Sequence, residues 1–407
     1  MVPDWMKLQK AAVRLTDGST ADGTQFEICR SWQGQYLKVE IKNISAEKQQ
    51  VREVLVAGGV YPVEEDCRFY AEGFQMLAEY TGTLKAPRVI GKYGSGNEFF
   101  KIPESVFSEG FYTVYNCLYL EPKPFNAYTH VSHWYMLDGS NPAAVDYIRH
   151  VVRVMHDEWG LRYFKLDFTS YGALPGGVRH NGMTRIQSFR KLFGAITEEV
   201  GGDSYILGCN APFWPQLGLV HGNRETDDVF RKWETISEIA EQQFWRNWQN
   251  GTLWINDPDG VVLEKRDMSS YRRGRYRRRI CELSDAEFEF HKAYIIACGG
   301  VVTSGDLLTE ISERNLDVLR KMMKEVGTAA KFDDTTFTIG RIQKEDHALI
   351  CAFNWTEEPR DLAIPLDGMY RIRTLFTEKE LGVYEGSYTI QNALPHEGFV
   401  LVLTPCE

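Results

Sequence analysis

The sequence lacks the signals of several common protein classes. Its eight cysteines are scattered, with no CxxC pair and no histidines at metal-ligand spacing, so we expect reduced thiols, no metal and no cofactor. No apolar run approaches the roughly 20 residues of a membrane span. The first residues also lack the basic-then-apolar order of a signal peptide, so we expect a cytoplasmic protein with no membrane partner.

Positive charge is also in deficit, because the net charge is −10 and the pI is near 5.5. This balance leaves no electrostatic footprint for nucleic acid and fits a neutral substrate best. One basic run, residues 272–279, interleaves arginine with tyrosine, and we interpret it as a solvated loop before a capped helix. The aromatic content of 13% exceeds the needs of a core and suits stacking on a small carbohydrate.

Hydrophobic periodicity divides the 407 residues into three parts, 1–125, 126–326 and 327–407. In residues 36–42 apolar and charged positions alternate, which is typical of a strand buried on one face. Residues 111–120 read as a second strand, and turn clusters occur at 17–19 and 94–97. The first part is therefore predicted to be an N-terminal antiparallel β-sandwich segment.

In the middle part, helices alternate with short apolar strands, the pattern of βα units around a parallel sheet. Helices are predicted from Asn141 to Gly160, over 186–200, and from Ser284 to Gly299. The predicted strands are 163–167, 205–207, 219–220, 253–255 and 301–302. The fold class is α/β, with a partial (β/α) TIM-type barrel that has five strands where a complete barrel has eight.

Alternation returns in the last part, in residues 336–341 and 349–353. Asp367 and Gly368 are typical of a tight turn between two strands. We therefore expect a small C-terminal antiparallel β domain.

The segment Tyr163–Asp167 places a carboxylate at the carboxyl end of a strand, the rim at which parallel barrels hold catalytic groups. Lys165 lies two residues before Asp167 and so points to the same side of the sheet. A nearby ammonium keeps a carboxylate ionised, as a nucleophile requires. On spacing alone, a structural ion pair is an equally good interpretation.

The segment Arg224–Asp228 again puts acid after an apolar strand. Asp228 could be the partner acid, with Arg224 and Asp227 orienting it, although adjacent acids also form ordinary helix N-caps. Two carboxylates that reach one rim from different strand ends are what a glycoside hydrolase needs.

The segment from Gly208 to Trp214 brings small and polar groups out of a strand end beside a tryptophan. It is interpreted as a substrate-binding loop that includes Trp214, and a packed turn around a core tryptophan is the alternative. Residues 256–259 and 304–306 are interpreted as turns or supporting groups, and His221 as a satisfied core or rim histidine.

These motifs resemble the bacterial melibiase-type α-galactosidases of glycoside hydrolase family thirty-six. The matching segments follow in the family's order and are 163–167, 207–212, 218–228, 254–259 and 299–306. The similarity extends to the N-terminal β segment, including Tyr70–Gln75, and to the C-terminal β domain. Five motifs in one order make a specific signal.

The resemblance implies that Asp167 is the nucleophile and Asp228 the general acid/base of a retaining α-galactosidase. Such an enzyme removes terminal α-linked galactose from oligosaccharides by double displacement. The other residues that the resemblance places near the sugar are Lys165, Cys209, Asn210 and Arg224.

The sequence departs from the family between Leu120 and Trp134, which indicates an internal deletion. The family has the first three barrel strands there, with a tryptophan-rich strand and a paired-aspartate motif that grips galactose. An open partial barrel exposes two sheet edges, so we expect a homo-oligomer. Two alternatives follow: an inactive or sugar-binding remnant of such an enzyme, or an α-N-acetylgalactosaminidase.

Overall fold

The structure is a computed structural model, and it describes residues 11–33, 36–58, 68–72, 79–83, 87–90, 111–114, 137–173, 180–265, 281–333 and 336–406. Five features of the sequence lie wholly or partly outside these ranges: residues 73–75 of the segment Tyr70–Gln75, the turn at 94–97, residues 115–120 of the strand predicted over 111–120, the basic run at 272–279, and the segment between Leu120 and Trp134. The described residues up to 114 and those from 137 onward belong to two compact units.

The first unit consists of antiparallel strands, as predicted. They are β1 (Ala12–Leu15), β2 (Phe26–Gln33), β3 (Tyr36–Asn43), β4 (Val51–Gly58), β5 (Arg68–Glu72), β6 (Glu79–Thr83), β7 (Pro87–Ile90) and β8 (Phe111–Val114). Three sheets have the orders β1-β4-β8, β2-β3 and β5-β6-β7. Val13, Leu15 and Phe26 are buried in one cluster with parts of β3 and β4, so the first two sheets share a core.

The second unit contains five α-helices within the described ranges: α1 (Pro142–Arg153), α2 (Arg185–Val200), α3 (Trp233–Arg246), α4 (Asp285–Cys298) and α5 (Glu313–Glu325). Its parallel strands are β9 (Tyr163–Leu166), β10 (Tyr205–Gly208), β11 (Gly222–Arg224) and β12 (Ile255–Asp257). Short 3-10 segments are Thr169–Ala173, His180–Gly182, Gly201–Asp203, Trp214–Gln216 and Asn247–Gln249. None of the described helices is long and apolar enough to cross a membrane.

The helix ends follow the chemistry of their capping residues. Asn141 caps α1 by accepting a hydrogen bond from the backbone of Ala143, and Pro142 occupies the first turn. The predicted capping box of Ser284 and Glu287 is confirmed, and α4 ends at Gly299 in the left-handed conformation. The prediction that Gly160 closes the first helix is confirmed: α1 continues into a π-helical turn over Val154–Glu158, and Gly160 follows with a φ angle of 70°.

The four strands of the parallel sheet lie in the order β12-β11-β10-β9, so each is a neighbour of the next along the chain. The strands predicted at 163–167 and 205–207 are confirmed, with Tyr205 opposite Tyr163 and Leu207 opposite Lys165. The next two predictions are displaced. Residues 219–220 belong to a loop that precedes β11, and Leu253 belongs to a turn, since its N–H bonds to Gln249.

The fifth predicted strand, at 301–302, is wrong. In place of a strand, the Val301 N–H donates to the carbonyl of Asn256 at 2.8 Å, and Ser304 forms an isolated parallel bridge with Val261. The approach is so close that a Cβ at Gly300 would overlap the carbonyl oxygen of Asn256. Only glycine allows the chain to leave α4 against the end of β12 in this way.

Replacing Gly300 with alanine is therefore expected to lower the free energy of unfolding by about 1 to 3 kcal/mol, because the new methyl group meets backbone rather than a movable side chain. Gly202 is the matched control, since an added Cβ there meets nothing within 4 Å. Thermal or urea unfolding of the two variants tests this, and equal stabilities would contradict it.

The C-terminal strands form one sheet in the order β13-β14-β15-β18-β16-β17, antiparallel throughout. The strands are β13 (Lys331–Phe332), β14 (Ile339–Gln343), β15 (Ala348–Phe353), β16 (Arg360–Thr374), β17 (Glu380–Ala393) and β18 (Gly398–Pro405). Phe290 of α4 packs against Phe353 of β15, which joins this sheet to the helices in one core. The predicted turn at Asp367 and Gly368 is wrong: β16 continues through it with a register shift between Pro365 and Met369.

A charged cluster connects the π-helical turn that follows α1 with the 3-10 segment that precedes β10. The two ring nitrogens of His156 lie 2.7 Å from Asp157 and 3.0 Å from Asp203, and these carboxylates raise the pKa of His156. A raised folded-state pKa means that the pair stabilises the fold fully below the unfolded value of about 6.5, and that the gain is lost as pH rises through the folded value.

Replacing His156 with asparagine should therefore lower the melting temperature more at pH 5.5 than at pH 9. His150, exposed on α1, is the control, and its asparagine variant should show little difference between the two conditions. An equal loss at both pH values in the His156 variant would contradict this account.

Candidate functional site

The site is built on one face of the parallel sheet. Side chains alternate between faces along a strand, so Tyr163, Lys165 and Asp167 share a face and their register partners on β10 share it with them. The rings of Tyr163 and Tyr205 stack at 5.6 Å. At the carboxyl ends of the strands this aromatic layer gives way to Lys165, Asp167 and Cys209.

Asp167 follows directly after β9 and is exposed. Its Oδ1 accepts a hydrogen bond of 2.7 Å from the backbone of Phe168. The thiol of Cys209 bonds to the same carboxylate, and burial, with the charge of Asp167 adding to it, raises the pKa of Cys209 to about 12. Cys209 is therefore a neutral S–H donor beside Asp167.

The backbone at this rim is left-handed after three of the four strands, β9, β10 and β12. Phe168, Asn210 and Asp259 have positive φ angles of 55°, 43° and 75°. Non-glycine residues seldom adopt this conformation, and where they do the surroundings must hold it, as happens in active sites and ligand clamps. Asn210 is 7% exposed, and among the described residues its buried Oδ1 has no hydrogen-bond partner. This oxygen is a free acceptor at the rim.

Arg224 ends β11 and is 1% exposed. Its Nη2 donates to Asp259 Oδ2 at 2.5 Å, to the Asp227 carbonyl at 3.0 Å and to Asp228 Oδ1 at 3.1 Å. Burial opposes its charge, but the surrounding carboxylates, Asp259 foremost, more than offset this and raise the pKa of the guanidinium. The arginine is the charged centre of the site.

Asp228 lies on the loop after β11, and its side chain is 70% exposed. Its N–H donates to Asp227 Oδ1 at 2.8 Å, and its carboxylate accepts from Arg224. The alternative interpretation of the two acids as a helix N-cap is wrong, because α3 begins at Trp233 with Lys232 at the cap. Asp228 instead faces a charged partner.

Asp257 belongs to this cluster although sequence reasoning gave it only a turn or supporting role. It lies opposite Arg224 in the sheet register and is 3% exposed. Burial raises its pKa, and the charges of Arg224 and Lys165 oppose that rise. The pairing of β11 with β12 would have identified Asp257 as a site residue, because it places Asp257 on the face that carries Arg224.

Two further predictions concern Trp214 and His221. Trp214 is 40% exposed and packs edge-on against Phe213, which is fully buried. The alternative that Trp214 is a core tryptophan is therefore wrong, and Phe213 occupies the core position instead. No described ring contact joins Trp214 to the carboxylates, and its contact with sugar stays a prediction. His221 accepts a 3.0 Å hydrogen bond from Ile206 and is satisfied, as expected.

Asp306 also has the structural role that the sequence indicated. Its Oδ2 accepts from the backbone N–H groups of Leu263 and Glu264 at 2.6 and 3.2 Å, and Arg231 pairs with its other oxygen. Within the described ranges, no group of three or more His, Cys, Asp or Glu side chains is placed to hold a metal ion.

No family model matches the chain. Similar solved structures include a family 27 β-L-arabinopyranosidase from Geobacillus stearothermophilus, with a TM-score of 0.53 and 18% identity over 65% of this chain and 63% of that one. Another is a putative α-N-acetylgalactosaminidase from Bacillus halodurans, with a TM-score of 0.51 and 17% identity over 66% and 64%. A putative α-galactosidase/melibiase from Bacteroides fragilis gives 0.50 and 14% over 63% and 57%.

The chain therefore spans less than two thirds of the length of each of these proteins. At such identities the likeness concerns the fold alone, which this chain shares with these three proteins.

Proposed function

We propose that the chain is a retaining glycoside hydrolase that removes terminal α-linked galactose. One observation carries this proposal: two carboxylates from different strand ends of one parallel sheet are tied to a common set of side chains. Asp167 is bonded to Cys209, and Asp228 is bonded to Arg224, whose charge also acts on Cys209. Glycosidases use a pair of carboxylates, and barrel enzymes hold their catalytic groups at the carboxyl ends of parallel strands.

In the proposed reaction Asp167 attacks the anomeric carbon, and Asp228 protonates the departing glycosidic oxygen. Asp228 then takes a proton from water, which attacks the glycosyl ester on Asp167 and releases the sugar with its original configuration. This double displacement requires carboxyl groups about 5 to 5.5 Å apart. Cys209 contributes a neutral donor beside Asp167, and Lys165 a positive charge near Cys209.

The names of the similar structures support a galactose-like sugar. β-L-Arabinopyranose is the pentose that lacks the hydroxymethyl group of α-galactose, and N-acetylgalactosamine differs from galactose only at its second carbon. All three therefore present the same ring hydroxyl pattern at the third and fourth carbons. We propose that this shared pattern is what the site recognises, with Asn210 Oδ1 as one acceptor for a sugar hydroxyl.

The purified chain can be tested on nitrophenyl α-galactoside, β-L-arabinopyranoside and α-N-acetylgalactosaminide. We expect the highest kcat/KM on the α-galactoside, and NMR of the first product should show α-galactose. A folded chain that releases none of the three sugars, or that produces β-galactose first, would contradict the proposal.

A sugar-binding protein without turnover is the second candidate, and the 70% exposure of the Asp228 side chain favours it. A general acid works best where water is excluded and its pKa is raised. Calorimetry with galactose, combined with the hydrolysis assay, separates the two candidates: heat of binding with no hydrolysis supports the second.

A further inference from the structure

We propose that Asp259 is a positioning residue for Asp228, and that it controls how strongly Arg224 pairs with that carboxylate. The inference rests on the proposed function, in which Asp228 is the general acid/base. Asp259 acts on Asp228 indirectly, through Arg224 and through the backbone N–H of Val229.

A single oxygen of Asp259 receives two donors. Its Oδ2 accepts from Arg224 Nη2 at 2.5 Å and from the backbone N–H of Val229 at 2.7 Å. Val229 is the residue after Asp228, and the same Arg224 nitrogen donates to Asp228 Oδ1 at 3.1 Å. One carboxylate therefore fixes both the chain beside Asp228 and the cation that faces it.

The turn that presents Asp259 is held from several sides. Asp259 has a φ angle of 75°, and its N–H donates to Asp257 Oδ1 at 3.0 Å. The fully buried Tyr294 donates its hydroxyl to the Pro258 carbonyl at 2.9 Å. Gly260 packs so tightly that a Cβ there would lie 3.0 Å from Gly305 Cα. These restraints hold the Asp259 carboxylate in one position.

The charge arrangement gives that position a chemical use. A general acid must keep its proton at the working pH, and a cation at hydrogen-bond distance favours the ionised form instead. Because Arg224 makes its shorter bond to Asp259, its charge is divided between two carboxylates. Without the Asp259 charge, Arg224 would still face the Asp227 carbonyl and Asp257, but it would bind the Asp228 carboxylate more strongly and favour its ionised form.

The test is Asp259→Asn, which keeps the size of the side chain. We expect the alkaline limb of kcat/KM for an α-galactoside to move to lower pH by about 1 unit. We also expect kcat at neutral pH to fall by roughly 10-fold or more, with a smaller change in KM. The control is Asp306→Asn, which removes a carboxylate that likewise accepts from an arginine and from backbone N–H groups. It should lower stability without moving the alkaline limb, and an equal movement in both variants would overturn the inference.

A readout without activity separates this inference from the proposed function. Carbon-13 NMR can titrate the Asp228 carboxyl, identified by its loss in Asp228→Asn, in the wild type and in Asp259→Asn. A lower pKa in the variant supports the inference even if the wild type hydrolyses nothing, and an unchanged pKa overturns it. If Asp259→Asn does not fold, Tyr294→Phe replaces it, since losing the hydroxyl loosens the same turn. A smaller shift in the same direction is expected there, and no shift overturns the inference.

Discussion

The asparagine variant of Asp167 is expected to lose galactose release by on the order of 10^4-fold or more, because the amide cannot form the glycosyl ester. The structural reason for choosing this residue is its place at the end of β9, bonded to Cys209 and to the backbone of Phe168. Asparagine preserves both the size of the side chain and an acceptor for the Phe168 N–H, so folding should be unaffected. Hydrolysis of nitrophenyl α-galactoside and the melting temperature are the two measurements.

The smaller variant Asp167→Gly adds a stereochemical readout. Azide that enters the vacated space attacks from the face opposite the leaving group and should yield β-galactosyl azide. Rescue with α-galactosyl azide, or an asparagine variant with wild-type activity, would contradict the nucleophile's assignment.

Replacing Asp228 with alanine should reduce kcat on natural α-galactosides by about 10^2- to 10^4-fold. The loss should be much smaller for substrates such as dinitrophenyl galactoside, whose leaving group needs no proton. Azide should accelerate this variant and give α-galactosyl azide, because it replaces water in the second displacement.

The neighbouring Asp227→Asn is the control for Asp228. Its Oδ1 accepts from the Asp228 N–H, and the asparagine can still accept that bond while the charge is removed. We expect a much smaller loss and no azide rescue. Equal losses in the two variants, independent of the leaving group, would show that the general acid lies elsewhere.

The parts of the fold that could be predicted are those in which the buried side chains are apolar. β9 and β10 were located because they bury the apolar side chains of Phe164 and Ile206, and α4 because its capping box is local. β11 and β12 have only three residues each, with Asn223 and Asn256 fully buried. The Asn223 side-chain oxygen accepts from Gln216, and the Asn256 side-chain N–H donates to the carbonyl of Arg246, so both amides have partners from other segments of the chain. No apolar pattern identifies such strands, so strands were predicted at the nearby apolar residues 219–220 and 253–255 instead.

The site residues also divide into those that the sequence predicts and those that it does not. The motifs identified Asp167, Cys209, Arg224 and Asp228, and the structure brings these into one cluster. The roles of Asp257 and Asp259 were not predicted, because they depend on the pairing of β12 with β11 and on a left-handed backbone after a proline. Sequence patterns in a turn such as 256–259 do not distinguish this arrangement from an ordinary loop.

Trapping the covalent intermediate tests the central claim most directly. A fluorinated α-galactosyl substrate with a good leaving group forms the glycosyl ester faster than water can release it. Peptide mapping by mass spectrometry after this reaction should find one fluorogalactosyl group, on Asp167. A label on any other residue, or hydrolysis that proceeds with inversion and leaves no label, would contradict the account.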